Sequence, residues 1–211
     1  MPSARVATDF FVVLTFFANV AVALAIVVGI TSLFSGSVRG AIGALAASIG
    51  AQGLLLAAWV VAIVTTAGSL YYSLHAGYVP CELCWYQRIA MYPLVVVLGV
   101  GWLRSDRKAW ITAAPFVVIG APLSLYHWLV ERVPSFAESS SCSAFAPCTA
   151  PYFEKYGYLT LAWMCLSSFL LIGTLLVLSV VAQRAARGVG DDAPTVDHET
   201  VTVAVEERVA P

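Results

Sequence analysis

Charge is what this sequence has least of. Only 11% of its 211 residues are Asp, Glu, Lys or Arg, against 60% hydrophobic residues, and the net charge is −1. Soluble domains hold about 25% charged residues, and a chain with so few has too little polar surface to cover an aqueous exterior. Lipid is the solvent that such a composition suits. Without a basic stripe or a basic helix, nothing can grip a phosphate backbone, so nucleic acid is excluded as a partner. The spanning segments also have almost no ionisable residues, which argues against a transporter that binds charged substrate or couples to ions.

What is present in quantity is long apolar runs. Five can be drawn, at residues 10–33, 41–70, 89–103, 110–130 and 159–181. A spanning helix needs about 20 residues, which the first, fourth and fifth meet. The second has surplus at its start or tilts. The third is short unless its helix begins near Trp85, which sets Gln87 and Arg88 at the membrane boundary. Pro93, Pro115 and Pro122 lie inside the third and fourth helices, where neighbouring helices can cover a freed carbonyl. Gly43, Ala47, Gly50 and Ala51 form a small-residue stripe that predicts close helix packing. The expected fold is all-α and polytopic: a four-helix transmembrane bundle core plus one extra N-terminal transmembrane helix. The expected organisation is residues 1–40 for that helix and a short cytoplasmic loop, 41–187 for the bundle, and 188–211 for a disordered acidic tail.

Short basic loops orient the chain. Arg39, the Arg104–Arg107–Lys108 cluster and the Arg184–Arg187 pair all fall on the cytoplasmic side under the positive-inside rule. The N-terminus is then outside and the C-terminus inside. Loops 71–88 and 131–158 fall outside, and these are the loops that carry four of the five cysteines. Disulfides persist on that side of a membrane, so charge and cysteine content agree independently.

Cys81 and Cys84 form a C-x-x-C at the start of the third helix. A helix N-terminus and Arg88, one turn on, favour a thiolate at Cys84. Cys142 and Cys148, with five residues between them, lie among small and serine-rich neighbours open to another protein. Zinc ligation or inert stapling are the bland alternatives, but two accessible pairs on one side permit a thiol–disulfide relay. No metal site is expected. Cys165, inside the fifth run, reads as an apolar filler.

The run Cys81-Glu82-Leu83-Cys84-Trp85-Tyr86-Gln87-Arg88, followed by Ile89-Ala90-Met91-Tyr92-Pro93, resembles the signature of the disulfide-bond-formation protein B family, notably its short Gram-positive branch. The resemblance covers about residues 45–182 and includes Tyr126-His127 at the outer end of the fourth segment. It implies a thiol:quinone oxidoreductase of the bacterial cell membrane. Cys84 is then the cysteine nearest the quinone (ubiquinone or menaquinone), Arg88 supports the thiolate and the quinone oxygen, and His127 lies near the quinone. The resemblance also implies that Cys81 exchanges with the second pair. Cys142 meets the partner, an extracytoplasmic thioredoxin-fold disulfide oxidase of the DsbA/BdbD kind, and Cys148 bridges transiently to Cys81. The short Cys142–Cys148 interval departs from members with a long second loop and leaves the order of exchange open. Two rivals remain: a vitamin-K-epoxide-reductase-like quinone reductase, whose loop pair precedes its C-x-x-C, and a membrane scaffold with structural disulfides.

Overall fold

The computed structural model describes residues 2–138, 142 and 146–191. They form seven helices: α1 (Pro2–Phe34), α2 (Gly36–Ile49), α3 (Ala51–Leu74), α4 (Glu82–Leu103), α5 (Ala109–Arg132), the single turn-and-a-half α6 (Pro134–Glu138), and α7 (Leu161–Asp191). Five of them, all but α2 and α6, are long and apolar enough to cross a membrane. In hydrocarbon every backbone N–H and C=O must be satisfied within its own segment, and a helix does this with local bonds alone. The chain is therefore an all-α polytopic membrane bundle.

The four helices α3, α4, α5 and α7 close a ring, each packed on two neighbours in the order α3–α4–α5–α7. Met91, Leu94, Leu98, Phe169 and Ile172 fill its centre. Its outer surface is more apolar than a soluble protein tolerates: Ile89, Val96, Val118 and Val177 are each at least 64% exposed. Ser124, Ser167 and Ser179 are buried instead. Because lipid is as apolar as leucine, the ring is held by close packing and interhelical hydrogen bonds rather than by the hydrophobic effect. The Thr65–Ser168 bond between α3 and α7, at 2.9 Å, is one such link. Glycine supplies the closeness. A Cβ on Gly120 of α5 would lie 2.2 Å from the Phe169 ring of α7, so α5 carries hydrogen where the ring lands.

The second apolar run is two helices. Its surplus residues belong to α2, and the break is at Gly50, whose φ of 79° and ψ of 150° no helix continues. Arg39 is consequently helical rather than in an open loop. Of the small-residue stripe, Gly43 does pack, its side meeting Ala185 of α7, whereas Gly50 serves the break. The third run is a full span, because its helix starts at Glu82, seven residues before the apolar run does. The helix of the fifth run, α7, continues to Asp191. The tail at 192–211 and its Val-Thr-Val-Ala-Val run lie outside the described residues, as do most of the serine-rich flanks of Cys142.

Two loops gather at one end of the ring. Tyr78 of the α3–α4 loop stacks on Tyr152 of the α6–α7 segment, centroids 4.2 Å apart and planes within 5°. The Tyr152 hydroxyl donates to the Val79 carbonyl at 2.7 Å. The longer loop is also pinned at both ends. Arg132 pairs with Glu154 at 3.1 Å, and the Trp128 indole N–H donates to the Tyr158 carbonyl at 3.0 Å. Aromatic stacking and these polar ties hold the two cysteine-bearing loops against each other.

Candidate redox site

α4 begins with its own chemistry. Pro80 precedes Cys81, which is extended (φ −72°, ψ 173°) and is the helix N-cap. Its Sγ accepts the Cys84 backbone N–H at 3.3 Å, in the position a serine or aspartate oxygen usually fills. The help expected for Cys84 from the helix terminus thus falls on Cys81 instead. A hydrogen bond from the Cys84 thiol is the largest influence on the Cys81 sulfur. His127 adds to it, and together they outweigh burial and hold the Cys81 thiol down at about 4.

The two sulfurs of the motif face different surroundings. Cys81 is 5% exposed and clusters with Leu83, Val130 and the buried Cys148, with Cys142 and Tyr126 at the edge. Cys142 and Cys148 are joined in a disulfide, with Cα atoms 5.9 Å apart. Cys84 is partly buried and lines a cavity of about 310 Å³ between α3, α4 and α7. Met91, Val61 and Leu171 supply much of its apolar wall, and Arg88 and Gln87 stand near Cys84. Arg88 donates to the Ser69 carbonyl at 3.3 Å and to the Ser73 hydroxyl, and its guanidinium lies 5.1 Å from the Trp85 ring. Cys165, read as filler, also reaches this cavity.

His127 is on the other side of the motif. Expected beside the acceptor, it does not line the cavity; its Nε2 lies 3.6 Å from Cys81 Sγ and the ring is 3% exposed. The reason is register: His127 is one turn before Glu131 on α5, on the buried side that also carries Val130, which clusters with Cys81 and Leu83. A thiolate can only accept, so opposite an ionised Cys81 the Nε2 nitrogen carries the proton. Glu131 Oε1 is 4.0 Å from the same nitrogen, and Glu131 Oε2 accepts the Thr160 hydroxyl at 2.6 Å. A buried carboxyl group and a thiol therefore flank the same imidazole nitrogen. Sequence reasoning missed Glu131, although its i, i+4 spacing from His127 on a helix was a usable signal.

Gln87 was also passed over. It is 6% exposed, lines the cavity, and its Nε2 is buried with no acceptor among the described residues. A buried amide donor left unpaired is costly unless something else completes it. With the Arg88 guanidinium it supplies hydrogen-bond donors beside Cys84 in a largely apolar slot. That combination fits a ringed dione with an apolar tail. As for metals, Cys81 Sγ, Cys84 Sγ and a His127 nitrogen all lie within 4.8 Å of one another, soft donors of the sort zinc accepts. The second pair adds no ligand while its two sulfurs are bonded to each other.

These features define a class: a membrane-embedded helical bundle in which a dithiol at a helix start meets a neighbouring disulfide, the arrangement of an oxidoreductase working by thiol–disulfide exchange. The family model "Disulfide bond formation protein DsbB" matches residues 51–178, and the chain belongs to that family. It is 42% identical over 118 residues to "Disulfide bond formation protein C" of Bacillus subtilis (strain 168), covering 56% of this chain and 86% of the relative. Over 123 residues it is 43% identical to "Probable disulfide formation protein" of Oceanobacillus iheyensis, covering 58% and 85%. A protein of the same description from Coxiella burnetii (strain CbuK_Q154) is 37% identical over 123 residues, covering 58% and 84%. No solved structure gives a significant match. The chain is thus an enzyme, a membrane thiol oxidoreductase with two cysteine pairs.

Proposed function

We propose that this protein reoxidises an extracytoplasmic thioredoxin-fold dithiol oxidase and passes the two electrons through Cys142–Cys148, then Cys81–Cys84, to a membrane quinone. The observation that carries the reading is the division of the C-x-x-C: Cys81 packs toward Cys148, and Cys84 opens on the apolar cavity. In the proposed topology both cysteine loops are extracytoplasmic, the N-terminus is outside and the C-terminus cytoplasmic. The bundle at 41–187 does the chemistry.

The electron path balances as three exchanges. A partner thiolate attacks Cys142 Sγ, the Cys142–Cys148 bond breaks, and the second partner thiol completes the partner's disulfide. Cys148 then attacks Cys81 of an oxidised Cys81–Cys84 pair, and Cys84 leaves as a thiolate into the cavity. Cys142 closes on Cys148, and Cys81 leaves as the second thiolate. His127 Nε2–H stabilises charge on Cys81 as it leaves, which makes it the better leaving group. A dione in the cavity would be the sink, taking two electrons and two protons as Cys81 and Cys84 rejoin in a disulfide. Arg88 and Gln87 line the cavity with Cys84 and would donate to its oxygens, and Arg88 would offset negative charge at Cys84. The carboxyl of Glu131 lies beside His127 as a place for a proton released during exchange.

The test is quinone consumption driven by a reduced partner oxidase. Cys84→Ser is expected to abolish it; turnover at the wild-type rate in that variant refutes the reading.

A further inference from the structure

α1 lies outside the residues that match the family, yet it forms part of the cavity wall. Phe11, Leu14, Thr15 and Ala18 line the same space as Cys84 and Arg88. Phe11 and Ala18 are seven residues apart, about 10 Å along a helix axis, so α1 follows the cavity from the Cys84 end toward the bilayer middle. The polarity of α1 shows which way it faces. Phe10, Phe16, Phe17, Leu24 and Val27 are each more than half exposed, while Thr8 and Thr15 are almost fully buried.

Two ties fasten α1 to the helices on either side of the cavity. The Tyr72 hydroxyl of α3 donates to Thr8 Oγ1 at 3.3 Å, and the Ser167 hydroxyl of α7 donates to Asn19 Oδ1 at 2.6 Å. Gly68 of α3 makes room for the Phe11 ring, since a Cβ there would lie 2.8 Å from it. Outside the span, Asp9 pairs with Lys155 at 3.1 Å. α1 packs along α7 and reaches α3 only through side chains, so the cavity lined by Cys84 has α1 as one wall and α3, α4 and α7 as the others.

We infer that α1 is a specificity element for the acceptor: it closes the lipid side of the cavity and selects among quinones by their isoprenoid tails. This rests on the quinone reading above. The ring stays with Cys84, Arg88 and Gln87, and the tail runs along Leu14 and Ala18. The substrate class is a ringed dione whose tail fits between α1 and the α3–α7 pair, and α1 governs discrimination rather than the electron transfer itself.

The experiment compares one naphthoquinone ring without a tail and with a long isoprenoid tail, in the full-length protein with reduced partner. Ala18→Phe narrows the channel and is expected to lower the tailed-to-tailless ratio of kcat/KM about tenfold. Leu14→Ala, at a half-exposed site where folding is not at stake, should lower the same ratio about threefold through lost contact. An unchanged ratio in both variants overturns the inference, as does a proportional loss with both quinones, which is what a merely structural helix would give. If the wild-type protein reduces neither quinone while still oxidising the partner with another acceptor, the quinone reading itself falls and takes the inference with it.

Discussion

Cys81 and Cys84 are three residues apart on one helix start and share one buried cluster, yet only Cys84 also lines the cavity. Around Cys81 the protein has gathered a backbone N–H and an imidazole, with a carboxyl group near the same imidazole nitrogen. Around Cys84 it has a largely apolar slot, with Gln87 and Arg88 close to the sulfur in sequence and hydroxyls elsewhere in the wall. The first setting suits a sulfur that must leave easily as a thiolate in exchange with another disulfide. The second suits a sulfur that hands electrons to something dissolved in lipid. Short spacing on a helix is what makes the division possible: residues i and i+3 are neighbours, but a side chain at the N-cap leaves the helix in a different direction from one inside the first turn.

The comparison breaks most completely at Cys81→Ser. Serine keeps the helix cap, because its hydroxyl accepts the same N–H, so the fold is expected to survive. Partner-driven quinone consumption should nonetheless vanish, while Cys84 still reacts with a small alkylating agent. Retained turnover would mean that the second pair reaches Cys84 directly. On the cavity side, Arg88→Ala is expected to raise the quinone KM roughly tenfold to a hundredfold, the range of one lost charge-assisted hydrogen bond. An unchanged KM and kcat would detach Arg88 from the acceptor.

His127→Ala acts on the other side and has a pH signature. A thiol held at about 4 is ionised throughout the neutral range, so alkylation of Cys81 in the reduced protein, followed by mass spectrometry, should be nearly flat from pH 5.5 to 8. An ordinary thiol, with a pKa of about 8.5, gains roughly tenfold per pH unit over that interval. Removing the imidazole takes away one of the groups that lower the Cys81 value, so the rise in rate should move to higher pH and exchange with Cys148 should slow about tenfold. A profile identical to wild type would assign the low value to Cys84 alone. The smallest expected effect is Gln87→Leu, a rise of about threefold to tenfold in quinone KM, since a neutral donor is lost and a buried unpaired one disappears with it. A drop in thermal stability with unchanged KM would show Gln87 to be structural.

Much of the architecture was legible because lipid writes its requirements in long runs. Residues 110–130 of the sequence became α5 with one or two residues added at each end. The misjudged element was α2, because Ala and Gly read as apolar on either side of Gly50 and a single backbone conformation divides the run. The start of α4 was placed near Trp85 because a span needs more residues than the third run has, and it falls three residues earlier, at Glu82, since Glu82, Gln87 and Arg88 dilute the first two turns. The pairs of cysteines were visible as pairs. What faces each sulfur was not, because His127, Glu131, Tyr72 and Ser73 reach the motif from other helices, and only the three-dimensional register of α3 and α5 brings them there. The docking of α1 was hidden for a related reason: Thr8, Thr15 and Asn19 are ordinary polar residues until their shared face is known.

Of the two sulfurs in the loop disulfide, Cys148 is 2% exposed and Cys142 is partly open. A bulky protein thiol approaching from the aqueous side can therefore address only Cys142, and the fragment expelled, Cys148, is already on the inner side next to Cys81. In the proposed relay, the point of entry would set the order of contact, while the potentials of the pairs and of the acceptor set which way electrons flow. The outer sulfur would then act as a turnstile, meeting the substrate protein while the inner pair stays screened from passing thiols.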